Sequence, residues 1–387
     1  MKITQEVESN EVQLLRKSVQ EFCKKEVADY YQQWERDGLV PRELWNKLGE
    51  QGFLLMEVPE KYGGLGTTYQ YSAVIMEEFY RLGFNSIGAN ISVHGLITAQ
   101  YILNYGTERQ KEYYLPRMAT GELVGAVAMT EPNAGSDLQG IKALARYDET
   151  RNEYVISGSK TFITNGQHCD FVVVVAKTDQ NVKPSRGTTL FIVDVPAAGF
   201  ERGRNLEKLG LHSCDTSELF FDEVRVGEDA ILGKKNEGFR ILMSELPRER
   251  LTIAVSAIAS MEGVLDSTIQ YTKERELFGT TLDHFQNTRF VIADLYAKME
   301  VHRAFVNECI KLLTENKLDT VKASMAKLTC SELQGQVIDE CLQLYGGYGY
   351  MMEYPVARAF VDARVQRIYG GTSEIMKKII SNELFSK

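Results

Sequence analysis

The chain has 387 residues, 44% of them hydrophobic and 25% charged, enough for two or three domains around substantial cores. Its 53 acidic residues outnumber 44 basic ones, for a net charge of −9, which argues against nucleic acid as the main partner because phosphate neutralisation needs clustered Lys and Arg. Six scattered cysteines without a CxxC pair, and five histidines without an HExxH spacing, point to free thiols in a reducing compartment and away from a zinc site.

The opening, MKITQEVESNEVQLL, has no apolar core and is acidic early, unlike a signal or transit peptide. No apolar run reaches the roughly 18 residues of a membrane-spanning helix. These features suit a cytoplasmic protein, or a mitochondrial matrix protein whose leader has been removed.

Residues 1–121 read as an N-terminal helical domain. Leu14, Leu15, Val19, Phe22 and Val27 recur at three- and four-residue steps, the spacing of one helical face. PRELWNKLGEQGF is a short helix with Pro41 suited to its first turn, and YQYSAVIMEEFYRLG, ISVHGLITAQYILNYG and RQKEYYLPRMATGE follow. Residues 122–234 change character. DFVVVVAKT is β-branched with no helical face, TTLFIVDV and SELFFDEVRV run between polar turns, and YDETRNEYVISGSKTFI has the pattern of a hairpin. This middle β-domain is a barrel or sandwich. Residues 235–387 return to helix, with Pro247 expected to kink or restart the first long one, and four long helices with short connections make a bundle. The fold class is therefore α+β multidomain: an N-terminal α-helical domain, a middle β-barrel or sandwich, and a C-terminal four-helix bundle.

No GxGxxG follows a strand and no phosphate-binding GxxxxGK[ST] is present, so a Rossmann reading fails on context. The glycine-rich YGGLG at 62–66 and YGGYGY at 345–350 are placed as helix-terminating turns. AMTEPNAGSDLQG at 128–140 leaves a strand with hydroxyls and a small-residue turn, which can bind a pyrophosphate or the polar edge of a flat ring; a plain Pro/Asn/Gly turn would use the same residues. TFITN at 161–165 sets Phe162 beside a threonine after a second strand.

In combination these motifs are more specific. AMTEPNAGSD, TFITNG, RELFGTTLDHFQ, LYGGYGY and YGGTSEI, in that order and over essentially the whole chain, resemble the acyl-CoA dehydrogenase family. SELPRERL at 244–251 and VDARVQRIYGGTSEIMKKII resemble its long-chain members most. The resemblance implies FAD held between the β-domain and the bundle, and removal of hydrogens from the α and β carbons of an acyl-CoA thioester. Ala128, Met129, Thr130, Gly135 and Ser136 would border the flavin, with Phe162, Ile163 and Thr164 on its other side. Phe162 stands where several members have tryptophan. Arg275, Phe278, Gln286, Gln343, Leu344, Gly346 and Gly347 would bind the ADP part, some across a subunit interface, and Thr372 and Glu374 would lie beside the dinucleotide. Ser136, Pro247, Arg250, Gly370 and Gly371 would touch substrate. Electron-transfer flavoprotein would take the electrons, and the protein would be a homotetramer.

Many members read Y-E-G-T in the C-terminal loop, and that glutamate is their base. Here the stretch is Tyr369-Gly370-Gly371-Thr372, and a glycine cannot take a proton. The long-chain and isovaleryl branches carry the carboxylate on the first long helix of the C-terminal domain, where Glu249 matches it. Two carboxylates at one carbon would repel and raise each other's pKa; a glycine opposite Glu249 avoids this. Glu245, one turn earlier, is the competing candidate. The backbone N–H of Gly370 would still polarise the thioester oxygen, together with a ribityl hydroxyl of FAD.

The implied function is FAD-dependent α,β-dehydrogenation of long-chain acyl-CoA, with a short- or branched-chain (isovaleryl-like) specificity as the alternative. A flavin oxidase or nitroalkane-oxidase-like enzyme of the same fold, and a non-catalytic acyl-CoA-binding protein, are the further readings. Gly95 and Ala99 are small; they either open an acyl tunnel along ISVHGLITAQYIL or let that helix pack closely.

Overall fold

The computed structural model describes residues 9–386. Residues 1–8, which hold most of the stretch read as neither signal nor transit peptide, lie outside the described residues.

Helix α1 (Asn10–Phe22) is capped by Ser9, whose hydroxyl accepts from the Val12 N–H at 3.3 Å, and runs into a π-helical turn at Cys23–Val27. α2 (Tyr31–Asp37) and α3 (Glu43–Glu50) follow. α3 starts two residues beyond Pro41 rather than on it. The intervening Arg42 is tied to the Gly121 and Glu122 carbonyls and to Asp170, which fixes the entry. α4 (Tyr69–Arg81) precedes a rod made of α5 (Asn85–Ile91), a π-helical segment (Ser92–Thr98) and α6 (Ala99–Tyr105); α7 (Glu108–Ala119) closes the helical block behind a Thr107–Gln110 capping box.

At Gly95 and Ala99 the rod favours close packing, the second of the two readings. A Cβ at Gly95 would lie 2.1 Å from the Leu54 carbonyl oxygen, and Ala99 is fully buried. These small side chains allow close packing and leave no open wall.

The middle block is one hydrogen-bonded sheet of eight strands: β1 (Gly125–Ala128), β2 (Leu144–Asp148), β3 (Glu153–Thr164), β4 (Phe171–Lys177), β5 (Thr188–Asp194), β6 (Phe200–Asn205), β7 (Thr216–Gly227) and β8 (Ile231–Leu232). The order is β6-β7-β3-β2-β4-β5-β8, with β1 parallel to β4. β2 meets β4 at one pair, Leu144 with Lys177, and β1 touches β3 across the interior. The sheet is thus folded over as a sandwich. The all-buried run Phe171–Ala176 on β4 explains the absence of alternation in its sequence.

The C-terminal block holds α8 (Gly238–Glu274), a small β9–β10 hairpin (Glu276–Leu277 and Thr280–Thr281), α9 (Gln286–Thr314), α10 (Thr320–Leu344), α11 (Pro355–Ala363) and α12 (Ser373–Leu384). α10 packs against all four other helices of this block, and α8 also lies on α4. Pro247 neither ends nor restarts α8, which runs unbroken through it. The bond that Pro247 cannot donate costs about 3 kcal/mol, and the burial of Leu246, Leu251, Ala254 and Val255 around it offsets that cost. α8 also carries an 18-residue window long and apolar enough to cross a membrane by composition, contrary to expectation. Since 67% of that window is buried inside the fold, α8 is a core helix.

Candidate active site

Glu249 projects from α8 and is only 7% exposed. Its Oε1 accepts a 2.9 Å hydrogen bond from the Tyr101 phenol on α6. Burial pushes the Glu249 carboxyl up to about 7, and the negative charge of Glu245 adds to the rise, against the Tyr101 hydrogen bond and the Arg250 charge. Glu245 is also buried, and Asn104 Nδ2 donates to its Oε1 at 3.0 Å. Burial raises it as well, opposed by Asn104 and Tyr105.

The loop at Tyr369–Thr372 faces this part of α8. Gly370 has φ +64°, and a Cβ there would lie 2.4 Å from Ile253 Cδ1. Ile253 is one helical turn beyond Glu249, so the helix that carries the carboxylate also fills the space a loop side chain would need. Gly371 has φ +98°, with Met376 Cε 2.6 Å from its missing Cβ. Two buried cations hold the loop's carbonyls. Arg250 Nε donates to Gly370 O at 3.3 Å while Nη1 reaches Ser324 Oγ at 3.4 Å, and Lys327 Nζ donates to Gly371 O at 2.6 Å. Burial, with the nearby Arg250 charge, lowers Lys327 to about 8. Among the described residues the Gly370 N–H makes no hydrogen bond. Thr372 ends the loop as the cap of α12, its hydroxyl accepting from Ile375 N–H. Glu374 is held below its usual value by its main-chain N–H and by Thr372.

A second cluster of predicted residues lies at the exits of β1 and β3. The Lys160–Glu131 pair is buried at 2.8 Å, and Lys160 also donates to Met129 O at 3.1 Å. Glu131 accepts from the Lys142 and Ala143 N–H groups, and the Thr161 N–H donates to Thr130 O. These bonds fix the Ala128–Thr130 main chain, while Gly135 and Ser136 beyond it are exposed. On β3 the register with β7 shifts between Lys160 and Ile163. At that bulge Phe162 adopts φ +59° and its ring is 67% exposed, while Ile163 is buried and Thr164 half-buried. An aromatic residue held in the left-handed region stores roughly 1–3 kcal/mol, here to aim an apolar ring outward.

The remaining predicted residues gather elsewhere. Tyr271, Arg275, Leu277, Gln343, Gly346 and Gly347 are among those lining a groove of about 630 Å³ between the ends of α8 and α10, and Leu344 is another. The Arg275 guanidinium lies 5.5 Å from the Tyr348 ring. Phe278, at φ +52° on the hairpin tip, is 91% exposed, and Gln286 opens α9. None of residues 128–136, 162–164 or 372–374 lines this groove. The predicted dinucleotide residues Arg275, Gln343, Leu344, Gly346 and Gly347 therefore share a groove that the predicted flavin residues do not enter.

Tyr101, Ile253, Lys327 and the Glu131–Lys160 pair escaped sequence reasoning. Lys327 had a signal: it falls among Ala323, Ala326, Cys330 and Leu333, all on the buried face of α10, where an unpaired lysine is costly.

The molecule holds a neutral-range acid beside a side-chain-free loop and, at the exits of β1 and β3, an uncovered ring with fixed main-chain groups. Those residues suit a flat, ring-bearing cofactor, and with the helical, sheet and helical blocks they define a flavoprotein oxidoreductase. Three family models cover nearly the whole chain: the acyl-CoA dehydrogenase N-terminal domain over residues 9–122, the middle domain over 126–224 and the C-terminal domain over 236–385. The chain is 46% identical over 377 residues to the long-chain specific acyl-CoA dehydrogenase, mitochondrial, of Sus scrofa, covering 97% of this chain and 87% of that one. It is 36% identical to the isovaleryl-CoA dehydrogenase, mitochondrial, of Solanum tuberosum, covering 96% and 90%. The crystal structure of an acyl-CoA dehydrogenase from Geobacillus kaustophilus superposes with a TM-score of 0.94 at 42% identity, covering 99% of this chain and all of that one. The chain belongs to the acyl-CoA dehydrogenase family. It is an oxidoreductase acting on the CH–CH bond of acyl-CoA, with FAD as cofactor.

Proposed function

We propose that Glu249 is the base that removes the α proton, and that Gly370 acts through its main-chain N–H, donating to the thioester oxygen as negative charge develops there. FAD, when bound, supplies the acceptor for the hydride leaving the β carbon. The observation that carries this reading is a buried carboxylate with its pKa near neutrality, set beside a loop that cannot hold a side chain. Such a carboxyl is ionised enough to act and basic enough to compete for a carbon-bound proton. Arg250 and Lys327 hold the two glycine carbonyls and so pin the loop that carries the Gly370 N–H. Ser136, Pro247 and Gly371 complete the thioester side. Phe162, Ile163 and Thr164, with Ala128–Thr130, Gly135 and Ser136, hold the flavin ring, and Thr372 and Glu374 stand at its dinucleotide.

Arg275, Phe278, Gln286, Gln343, Leu344, Gly346 and Gly347 serve the ADP portion of FAD, some of them across a subunit interface. Their grouping in a groove that excludes residues 128–136 and 162–164 supports this assignment; a site shared between copies needs at least a dimer, and the family likeness leads us to a homotetramer of paired dimers. The working division of the chain is 1–121, 122–234 and 235–387. Long-chain acyl-CoA is the substrate class, supported by the likeness to long-chain relatives; the isovaleryl likeness makes a branched chain the second reading. Electron-transfer flavoprotein is the acceptor, in the cytoplasm or the mitochondrial matrix.

The test is the Glu249→Gln holoenzyme mixed anaerobically with acyl-CoAs from short to long. The account expects bound FAD at wild-type occupancy and flavin bleaching slowed by at least ~10³-fold. Near-normal bleaching refutes the assignment, and the wild-type profile over chain length decides between the two substrate readings.

A further inference from the structure

The base has a partner that the reaction scheme above does not use. Tyr101 is fully buried, and its hydroxyl makes a 2.9 Å hydrogen bond to Glu249 Oε1. Among the described residues Oε2 has no hydrogen bond or ion pair. Three residues further along the same helix, Asn104 holds the rival carboxylate, Glu245. α6 thus secures both candidate acids of α8: Tyr101 holds Glu249, and Asn104 and Tyr105 hold Glu245.

We propose that Tyr101 is a positioning residue for the base: its phenol grips Oε1 of Glu249 and leaves Oε2 turned to the α carbon of the substrate. The inference rests on the reading of Glu249 as the base. Two consequences follow. A carboxylate on a stem of two methylenes has rotamers to lose, and a donor at one oxygen fixes the other. An ionised carboxylate is also a better acceptor than its acid, so the phenol favours the form that can act.

The groups that set the charge state of Glu249 are few. Glu245 and Arg250 lie on its own helix, and Arg250 is turned to Gly370. Tyr101 reaches it from α6, where Tyr105 faces Glu245 instead. Lys327 of α10 is engaged by Gly371. On the side of α4, Arg248 pairs with Glu57. Tyr101 is therefore the neutral donor through which the base can be tuned without changing local charge.

The experiment is Tyr101→Phe, which keeps the ring and removes one oxygen. Flavin reduction by saturating acyl-CoA is followed by stopped flow across pH in wild-type and variant holoenzyme, with FAD content and thermal midpoint measured on the same samples. The acid limb of the rate profile moves up by about one pH unit, so that the variant is about tenfold slower below the limb and within a few-fold of wild type on the alkaline plateau. An unmoved limb overturns the proposal, as does an equal fall at every pH, because lost packing alone gives that result. Glu249→Gln separates the two readings. If that variant still bleaches, the base was misassigned; if it is dead while Tyr101→Phe leaves the limb in place, the base stands and the positioning role fails.

Discussion

Replacing Gly370 by alanine adds one methyl where the chain has no room and little conformational freedom. The left-handed φ of +64° costs a non-glycine residue roughly 1 kcal/mol. The new carbon would sit 2.4 Å from Ile253 Cδ1, whereas carbons rest at about 3.5–4.0 Å. Either Ile253 or the loop must therefore yield by about 1 Å, and forced overpacking of this kind costs about 1–3 kcal/mol. The sum is about 2–4 kcal/mol, applied at the N–H that is to polarise the thioester. A misplacement of about 1 Å at a reacting group can slow chemistry by ~10²-fold. Gly370→Ala should thus keep its FAD but bleach about 10–100-fold more slowly in anaerobic stopped flow. Adding Ile253→Ala removes the clash and leaves the backbone strain, so the double variant should bleach at least about fivefold faster than the single one. Wild-type bleaching by Gly370→Ala, or no gain from Ile253→Ala, would refute the argument that Ile253 and the empty loop position fit one another.

The same clash governs a relocated base: Glu249→Ala with Gly370→Glu should turn over detectably only once Ile253→Ala is added, as measured by steady-state assay of both combinations. Lys327→Met leaves the Gly371 carbonyl unbonded, a loss of about 1–3 kcal/mol. Stopped flow should show a chemical step about tenfold slower in a protein that still binds FAD. The raised Glu249 pKa also fixes the sign of a stability effect. Its folded value of about 7 lies above the ordinary glutamate value of 4.5, so the folded state holds this proton more tightly. The group is neutral and harmless below about pH 4, and it destabilises increasingly as pH rises from there through 7. The full penalty is on the order of 3 kcal/mol. Thermal unfolding of Glu249→Gln should therefore exceed wild type at pH 8 and converge with it near pH 4; equal midpoints at pH 8 would mean that Glu249 is not desolvated.

The block order was legible in the sequence because periodicity changes where the architecture does: helical spacing through α7, β-branched runs from β1 to β8, and helix again from α8. Glu249 could be proposed as the base only indirectly, through the missing carboxylate at Gly370. What stayed hidden depends on distances between segments. Nothing local to Tyr101 announces that it meets a residue 148 positions away, and nothing near Ile253 links it to a loop beyond residue 368. Pro247 misled because propensity speaks for an isolated helix, whereas α8 is held on several sides. Gly95 left two readings open because a glycine that admits a carbonyl and one that admits a ligand look alike in sequence. Phe162 shows the converse: its motif was readable, but the bulge that turns its ring outward belongs to the register between β3 and β7.

The central claim is a distance. A crystal structure of the holoenzyme with an unreactive acyl-CoA analogue bound should place Glu249 Oε2 within about 3.5 Å of the α carbon, with the Gly370 N–H about 3 Å from the thioester oxygen. A Glu249 carboxylate swung away from that carbon, with another acid in its place, would contradict the account.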